Sequence, residues 1–255
     1  MSDELILVEK QNNIGKIIFN NGPLNILNIA MMEQINNTLD NFLTDSSLKV
    51  VVFDHHGKSF SAGVDIGEHM GDTANKMLEV FHGMFKRLNR MKIPTVACVK
   101  GAALGGGCEI AAFCDIVLAS EKAKFGNPEI KVGVFPPVSA IIFPSILGEK
   151  KANELILQGE IISATEANRI GLVNHVFPLE SYEQDVSAFL ERFSKLSGVV
   201  LQYGKKAVKL SIDSDFDTRL DEVEALYLNE LMNTHDANEG LKAFIEKRTP
   251  KWENR

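Results

Sequence analysis

The chain has 255 residues, of which 45% are apolar and 24% are charged. This composition is typical of a globular protein with one sizeable domain, and no apolar run approaches the roughly 18 residues that a membrane span needs. The formal net charge of −7 disfavours a nucleic-acid partner, because phosphate binding needs a clustered basic surface. The first residues, MSDELILVEK, lack the basic start of a signal peptide, so we expect a cytoplasmic protein.

Three cysteines, Cys98, Cys108 and Cys114, lie within apolar sequence. Their number is odd and no Cys-x-x-Cys or Cys/His spacing accompanies them. The sequence therefore predicts neither a disulfide framework nor a zinc site. We interpret all three as buried free thiols, and we expect no metal site.

The first predicted elements are a strand at residues 14–20 and a helix that follows the turn Asn21-Gly22-Pro23. Apolar residues recur in this helix with a period near 3.6: Ile29, Met32, Ile35, Leu39 and Phe42. Residues 49–54 (KVVVFD) form a short apolar run typical of a strand buried on both faces. A second amphipathic helix is predicted over 75–91. Two further strand-like runs follow, TVACVK after Pro94 and DIVLAS from Asp115.

The pattern becomes helical after about residue 150. Ser163–Glu166 and Ser181–Gln184 both fit a capping box, in which a side-chain oxygen precedes a glutamate or glutamine by three residues. Helices are predicted around 164–169, 181–196, 199–212, 217–233 and 236–247. Strands separated by helices indicate an α/β chain with a partly parallel sheet. We divide it into a core domain, residues 1–195, and a helical C-terminal part, residues 196–255.

Two glycine-containing segments follow predicted strands. Gly105-Gly106-Gly107 precedes what is predicted to be the first turn of a buried helix, and Ser61-Ala62-Gly63 follows the strand at 49–54. Backbone N–H groups of such loops can hold a developing oxyanion. The alternative is a tight turn that needs glycine for packing alone. Neither GxGxxG nor GxxxxGK[ST] is present, so dinucleotide and P-loop binding are not supported.

Two glutamates, Glu109 and Glu129, lie in otherwise apolar sequence close to these loops. A buried carboxylate costs several kcal/mol unless it is paired, hydrogen-bonded or protonated. Each is therefore either structural, with a hidden Arg or Lys partner, or functional with a raised pKa. Two such acids suit general acid–base chemistry, in which one deprotonates water and the other supplies a proton.

The longest motifs are FSAGVDI (60–66), GAALGGGCEIAAFCDIVLAS (101–120) and FGNPEIKVGVFP (125–136). They closely resemble the enoyl-CoA hydratase/isomerase, or crotonase, superfamily. Shorter stretches agree in order and spacing: GPLNILN (22–28), SATEANRIGLVNHVFP (163–178) and EGLKAFIEKR (239–248). The resemblance therefore covers nearly the whole chain.

The resemblance implies a ClpP/crotonase-like spiral of ββα units, with C-terminal helices that mediate trimers and often hexamers. It also implies a coenzyme A thioester as substrate and no other cofactor. The thioester oxygen would be held by the backbone N–H groups of Ala62 and Gly106. Superfamily hydratases use both acids present here. Glu129 is implied as the proton donor to carbon, and Glu109 as the group that holds and activates water.

The resemblance further implies where CoA lies, along residues 24–27 and 62–66. The implied contacts are Asn25, Leu27, Ala62, Gly63, Val64, Asp65 and Ile66, with Phe244 and Lys247 at the CoA mouth. Asp65 is more simply interpreted as a hydrogen-bonding group that fixes its loop, whereas His69 is a weaker candidate for reaching the pocket. His55 and His56 are assigned to a solvated loop.

One segment departs from the superfamily pattern. Typical short-chain hydratases follow the NPE motif with a glycine-rich stretch, whereas this chain has FPPVSAIIFP (135–144). The prolines of this segment and its bulky residues Val138, Ile141, Ile142 and Phe143 predict a stiffer, more apolar wall for the acyl pocket, unless the change is neutral repacking. The variant resembles hydratases of cyclohexa-1,5-diene-1-carbonyl-CoA in anaerobic benzoyl-CoA degradation. The alternatives are a general short-chain 2-enoyl-CoA hydratase and an enoyl-CoA isomerase.

Overall fold

The computed structural model describes residues 4–196, 198, 201–202, 204–205, 208, 216–229 and 231–251. Its strands are β1 (Ile6–Gln11), β2 (Ile14–Phe19), β3 (Val50–His55), β4 (Ser59–Ser61), β5 (Thr95–Val99), β6 (Ala102–Leu104), β7 (Ile116–Ser120), β8 (Lys124–Gly126), β9 (Ile161–Ser163) and β10 (His175–Phe177). Its α-helices are α1 (Ile29–Thr44), α2 (Thr73–Arg90), α3 (Gly106–Phe113), α4 (Pro137–Leu147), α5 (Glu149–Gln158), α6 (Ala164–Arg169), α7 (Tyr182–Ser194), α8 (Phe216–Asn229) and α9 (His235–Ile245). Short 3₁₀ turns occupy Ile66–His69, Pro128–Val132 and Leu231–Asn233.

The strands form two sheets, in the orders β1-β2-β3-β5-β7-β10 and β4-β6-β8-β9. Pairing is antiparallel in β1-β2 and β8-β9 and parallel elsewhere. Three successive strand pairs, β3/β4, β5/β6 and β7/β8, each place their first strand in the larger sheet and their second in the smaller one. A helix or 3₁₀ turn follows each pair. This is the repeated ββα arrangement expected from the resemblance.

The positions of β3 and β5 inside the larger sheet explain why the corresponding stretches of sequence are so apolar. In β3 the side chains of Val50 to Phe53 are completely buried, and all five residues of β5 are buried. Parallel central strands are covered on both faces, so they need apolar residues at every position. The three cysteines are buried and free, as predicted.

Element prediction was accurate for the long helices and poorer for short strands. Asn28 caps α1 by accepting the Met31 N–H, and Ser163 caps α6 by accepting the Glu166 N–H at 3.2 Å. The second predicted capping box is wrong, since Ser181 has helical backbone angles and its side chain makes no cap hydrogen bond. The predicted helix at 199–212 lies largely outside the described residues.

The C-terminal helices pack back onto the core of the same chain. Helix α8 lies against α2 and α4, and α9 lies against the 3₁₀ turns Ile66–His69 and Pro128–Val132. The approach of α9 is close, because a Cβ atom added to Gly240 would lie 2.1 Å from Val132 O. The division at residue 195 and the oligomeric role of the C-terminal part stay predictions. Within the described ranges, no helix is long and apolar enough to cross a bilayer.

The assignment of His55 to a solvated loop is wrong. His55 is the last residue of β3, is 8% exposed, and its Nε2 accepts the Lys100 N–H at 3.1 Å. Burial lowers the pKa of His55 to about 4, so the ring is neutral and suited to accept that bond. His56 is exposed, as predicted.

Candidate active site

Two loops meet where α3 begins. Gly105 precedes α3 with a φ of 53°, a conformation that glycine adopts readily. A Cβ atom added to Gly106 would lie 2.8 Å from Val64 Cγ2 and 3.0 Å from Phe81 Cζ. The start of α3 therefore contacts the loop after β4, and no side chain fits between them. The predicted meeting of the two glycine-containing loops is confirmed.

The predicted donor Ala62 is wrong, because its N–H is already used. Ala62 N–H donates to Leu24 O at 2.9 Å, and Asp65 N–H donates to Leu27 O at 3.0 Å. Gly63 N–H donates to Ser61 Oγ at 3.1 Å. Between them, Val64 N–H has no hydrogen-bond acceptor among the described residues. Val64 is therefore the residue of this loop whose N–H is available to a ligand.

Gly106 keeps its predicted place as the second donor. It is the first residue of α3, so its N–H has no partner within the helix, and none of the other described residues accepts it. The helix dipole adds positive potential at this end. Val64 and Gly106 thus present one free N–H each from two segments in contact, which suits an oxyanion.

Glu109 lies in the first turn of α3 and is 2% exposed. Its Oε1 accepts the N–H groups of Val138 at 2.8 Å and Ser139 at 2.9 Å. Both donors belong to the first turn of α4, whose dipole also favours a negative charge. Glu109 forms no ion pair with the described part of the chain, so the hidden Arg or Lys of the structural alternative is not found there.

Glu129 lies in the 3₁₀ turn Pro128–Val132, beside the start of α3. A Cβ atom added to Gly105 would lie 2.9 Å from Glu129 Oε1. That oxygen is 3.5 Å from Asn127 Nδ2, a long contact, while Oε2 is buried without a hydrogen bond. The protein therefore offers weaker hydrogen bonds to the carboxyl group of Glu129 than to that of Glu109.

Both carboxyl groups have raised pKa values. Burial is the main cause for Glu109, opposed by the N–H groups of Ser139 and Val138. For Glu129, burial and then the charge of Glu109 raise the pKa, opposed only by weaker hydrogen bonds. Two like charges this close do not both ionise readily. The two backbone N–H groups that Glu109 accepts favour its ionised form, so of the two acids Glu129 keeps its proton more readily.

Replacing Glu129 by glutamine should stabilise the fold, and increasingly so as the pH rises. The ordinary glutamate pKa is 4.5 and the folded-state value is raised, so the wild type loses stability as the pH rises through this window. Glutamine cannot ionise and avoids that loss. We expect a gain in unfolding free energy on the order of 1–3 kcal/mol at pH 8, vanishing near pH 4.5. Chemical denaturation across pH 4.5–8 measures it.

The exposed Glu121→Gln variant is the matched control for that stability series, because Glu121 lies on the surface and its side chain is paired with Lys122 at 3.7 Å. Its unfolding free energy should follow the wild type at every pH. A Glu129→Gln variant whose stability difference stays constant between pH 4.5 and pH 8 would contradict a buried, proton-holding Glu129.

The prediction that CoA contacts Asn25 and Leu27 is wrong, since both residues are completely buried and present no surface to a ligand. Asn25 Nδ2 donates to His56 O at 2.7 Å and Ser59 O at 2.8 Å. Leu27 uses its N–H and C=O to pair with the loop 63–65. Asn25 thus ties its loop to the end of β3 and the start of β4, and Leu27 holds the loop 63–65 in place beneath the surface.

The remaining predicted contacts lie at accessible positions or support the loop. Asp65 Oδ1 accepts the Gly67 N–H at 2.7 Å, confirming its loop-fixing role. His69 Nδ1 lies 2.8 Å from Asp65 O, so His69 fastens the same turn. Ile66 is half-buried and begins the turn against which α9 packs. Phe244, which is 54% exposed, and Lys247 lie at the end of that helix.

Sequence reasoning predicted that segment 135–144 forms a pocket wall, and it missed the contact of this segment with Glu109. Pro136 and Pro137 start α4, where a missing N–H costs nothing. Their rigid φ angles set the direction in which the next two N–H groups point, toward Glu109. Ser139 also donates its hydroxyl to Asn127 Oδ1 at 3.2 Å, which links the supports of both glutamates.

The described residues contain no group of three or more His, Cys, Asp or Glu side chains that could hold a metal ion. The chemistry available at this site comes from two free N–H donors and two buried carboxyl groups whose hydrogen-bond partners differ. Such a set can stabilise an enolate oxyanion while it moves one proton from water and one proton to carbon.

Comparison with known proteins agrees with this geometry. Residues 9–255 match the model of the enoyl-CoA hydratase/isomerase family. A cyclohexa-1,5-dienecarbonyl-CoA hydratase from Thauera aromatica is 35% identical over 98% of this chain and 96% of its own length. A 2,3-dehydroadipyl-CoA hydratase from Escherichia coli K12 is 33% identical over 98% and 99%.

Solved structures show the same fold. An enoyl-CoA hydratase from Mycobacterium avium subsp. paratuberculosis superimposes with a TM-score of 0.88 at 27% identity, over 98% of this chain and 99% of that one. The crotonase fold inferred from the strand pairs is thereby confirmed. The chain belongs to the enoyl-CoA hydratase/isomerase family.

Proposed function

We propose that the protein is a hydro-lyase that adds water across the double bond of an unsaturated coenzyme A thioester. The observation that carries this proposal is the convergence of two buried glutamates on the loop that presents Gly106 N–H. Isomerisation needs one group to move a proton between carbons, whereas water addition uses two groups with different protonation states. Glu109 and Glu129 differ in this way because their hydrogen-bond partners differ.

In the proposed mechanism the thioester oxygen accepts hydrogen bonds from Val64 N–H and Gly106 N–H. Glu109 takes a proton from water, whose oxygen bonds to the β-carbon as the π electrons shift toward the thioester oxygen. The enolate then collapses and takes the proton held by Glu129, at the α-carbon of a simple enoyl ester or at the far end of the conjugated system (C5) of the 1,5-diene ester. One water molecule is consumed, and the pair ends with its proton on Glu109. The negative charge on the thioester oxygen is largest in the enolate, so the two N–H donors stabilise the enolate more strongly than the substrate or the product.

We place the CoA chain along the exposed side of the loop 62–66, which leads away from Val64. Leu24, 45% exposed, lies beside this loop. Phe244 and Lys247 lie at the mouth and suit an adenine ring and a phosphate, respectively. The trimer or hexamer expected from the family resemblance is part of this proposal.

For the acyl group we propose cyclohexa-1,5-diene-1-carbonyl-CoA, hydrated to the 6-hydroxycyclohex-1-ene product in anaerobic benzoyl-CoA degradation. Two features support it: the Thauera aromatica relative acts on that ester by name, and the segment 135–144, which we assign to the pocket wall, is apolar with prolines at the start of α4. Val138 and Phe143 are buried in this wall, and Ile141 and Ile142 are half-buried. The second candidate is a linear 2-enoyl-CoA, as the Escherichia coli relative's name indicates for that protein.

A panel of three esters separates these substrates. We expect the highest kcat/KM with the cyclohexa-1,5-diene ester and lower values with crotonyl-CoA and cyclohex-1-enecarbonyl-CoA. One missing or extra methylene in an apolar pocket changes specificity by roughly 10–200-fold. The loss of the conjugated enoyl absorbance measures the rates. Fastest turnover of crotonyl-CoA would contradict the ring substrate and leave the hydratase proposal intact.

A further inference from the structure

Helix α8 brings a tyrosine to the site that the proposed mechanism does not use. Tyr227 is 1% exposed, and its ring packs edge-on against Phe135 with centroids 5.4 Å apart. Phe135 directly precedes the prolines that start α4, the helix whose first N–H groups hold Glu109. Tyr227 therefore packs against the segment that positions a catalytic acid.

No hydrogen bond within the described part of the chain includes the hydroxyl of Tyr227, and its oxygen is not among the fully buried atoms that lack a partner, so it borders open space. Buried tyrosines normally find a partner for this group. Tyr182, equally buried in a separate cluster of apolar side chains that includes Val50 and Val96, donates its hydroxyl to Leu118 O at 3.2 Å. The hydroxyl of Tyr227 is thus left for a ligand or a water molecule.

The surroundings of Tyr227 keep its hydroxyl protonated. Burial and then the charges of Glu129 and Glu109 raise the pKa of the phenol. Through Phe135 the ring also lies next to the start of α4, whose N–H groups bond Glu109. A neutral phenol beside them can donate a hydrogen bond at any pH where the enzyme works.

Two contacts of α8 with neighbouring helices fix the position of the Tyr227 ring. One turn before Tyr227, Glu224 Oε2 lies 2.7 Å from Nδ1 of the buried His82 on α2. At the start of the helix, Phe216 packs against Phe113 of α3 with centroids 4.9 Å apart. These contacts tie α8 to α3, which begins at Gly106, and to α2, whose Phe81 lies against Gly106.

We propose that Tyr227 is a further substrate-contacting residue, whose hydroxyl donates a hydrogen bond to the oxygen atom that water brings to the acyl group. This inference rests on the proposed hydratase function. Tyrosine keeps its proton throughout, so the proton balance between Glu109 and Glu129 is unchanged. The bond orients the attacking water and persists to the hydroxyl group of the product.

The Tyr227→Phe variant tests this contact, and Tyr182→Phe is the matched control with the same atom removed far from the site. We expect kcat to fall roughly 10-fold in Tyr227→Phe with little change in KM, since the bond is made to water and not to the thioester. Tyr182→Phe should keep the wild-type kcat. A purely space-filling tyrosine would give wild-type kcat in both variants.

Binding provides a second readout that does not depend on turnover. Calorimetry compares 3-hydroxybutyryl-CoA with butyryl-CoA, which lacks only the hydroxyl group. Wild type and Tyr182→Phe should bind the hydroxylated ester more tightly, and Tyr227→Phe should lose about 10-fold of that preference. If a ring ester turns over fastest, the 6-hydroxycyclohex-1-ene and cyclohex-1-ene esters replace this pair.

The outcomes separate this inference from the function on which it rests. A wild-type enzyme that hydrates none of the esters overturns both. A wild type that hydrates an ester, together with a Tyr227→Phe variant of unchanged kcat and unchanged hydroxyl preference, overturns the tyrosine contact alone.

Discussion

Glu129→Gln should lower kcat by about 10²–10⁴-fold while KM for the CoA ester changes little. The variant keeps the size and hydrogen-bonding capacity of the side chain beside Gly105, but it has no proton to give to the acyl group. Binding should persist because the two N–H donors and the CoA surface are unaltered. Steady-state kinetics with the best ester of the panel measures both constants.

Glu109→Gln should have an effect of similar size, because an amide cannot take the proton of water. Since the two acids act on one water molecule and one enolate, the double variant should be little slower than either single variant. Glu121→Gln is again the control, and its kcat should equal that of the wild type. A Glu129→Gln variant that keeps more than a tenth of the wild-type kcat would show that another group supplies the proton.

The second large effect is expected at Gly106, where proline and alanine can be compared. Both place a Cβ atom against Val64 and Phe81, and both suit the first position of a helix. Only proline removes the N–H. We expect Gly106→Pro to have a kcat about 10²–10³-fold below that of Gly106→Ala, with equal melting temperatures as evidence that the fold is kept.

The other donor can be tested without changing a side chain. Replacing the backbone amide by an ester at position 64 removes the Val64 N–H, and the same change at position 62 removes a bond to Leu24 O. The first change should lower kcat by a factor like that of Gly106→Pro, and the second should cost stability while kcat is retained. The reverse result would restore Ala62 as the donor.

The burial of the two glutamates could be predicted from the sequence, because glutamates inside apolar runs are rare and costly. Glu109 and Glu129 were identified on this ground, and the structure places both beside the start of α3. The long helices were predicted for a related reason, since a buried helix face repeats every 3.6 residues. Strands such as β4, β6, β8 and β9 have three residues each, too few for a periodic pattern to be recognised.

The donor in the loop 61–65 could not be chosen from the sequence. Consecutive N–H groups of an extended segment point in different directions, and the pairing register decides which of them are used. Here Leu27 pairs with the segment around Val64, a contact between residues 37 positions apart. Only that register shows that the Ala62 N–H is occupied and that of Val64 is free.

The support of Glu109 was missed for a similar reason. Val138 and Ser139 lie 29 and 30 residues away in the chain, in a segment whose composition suggested only an apolar wall. Backbone donors have no residue-type signature, so prolines that begin a helix were the sole local signal. Likewise, Tyr227 reaches the site through the packing of α8, which no motif predicts.

Isotope incorporation tests the central claim, water addition by the paired glutamates, most directly. Turnover of the preferred enoyl-CoA ester in D₂O enriched in ¹⁸O, followed by mass spectrometry, shows which atoms enter the product. Water addition predicts an ¹⁸O-labelled hydroxyl group together with a single deuterium bonded to carbon. A product with carbon-bound deuterium and no ¹⁸O would contradict it, because that pattern identifies an isomerase.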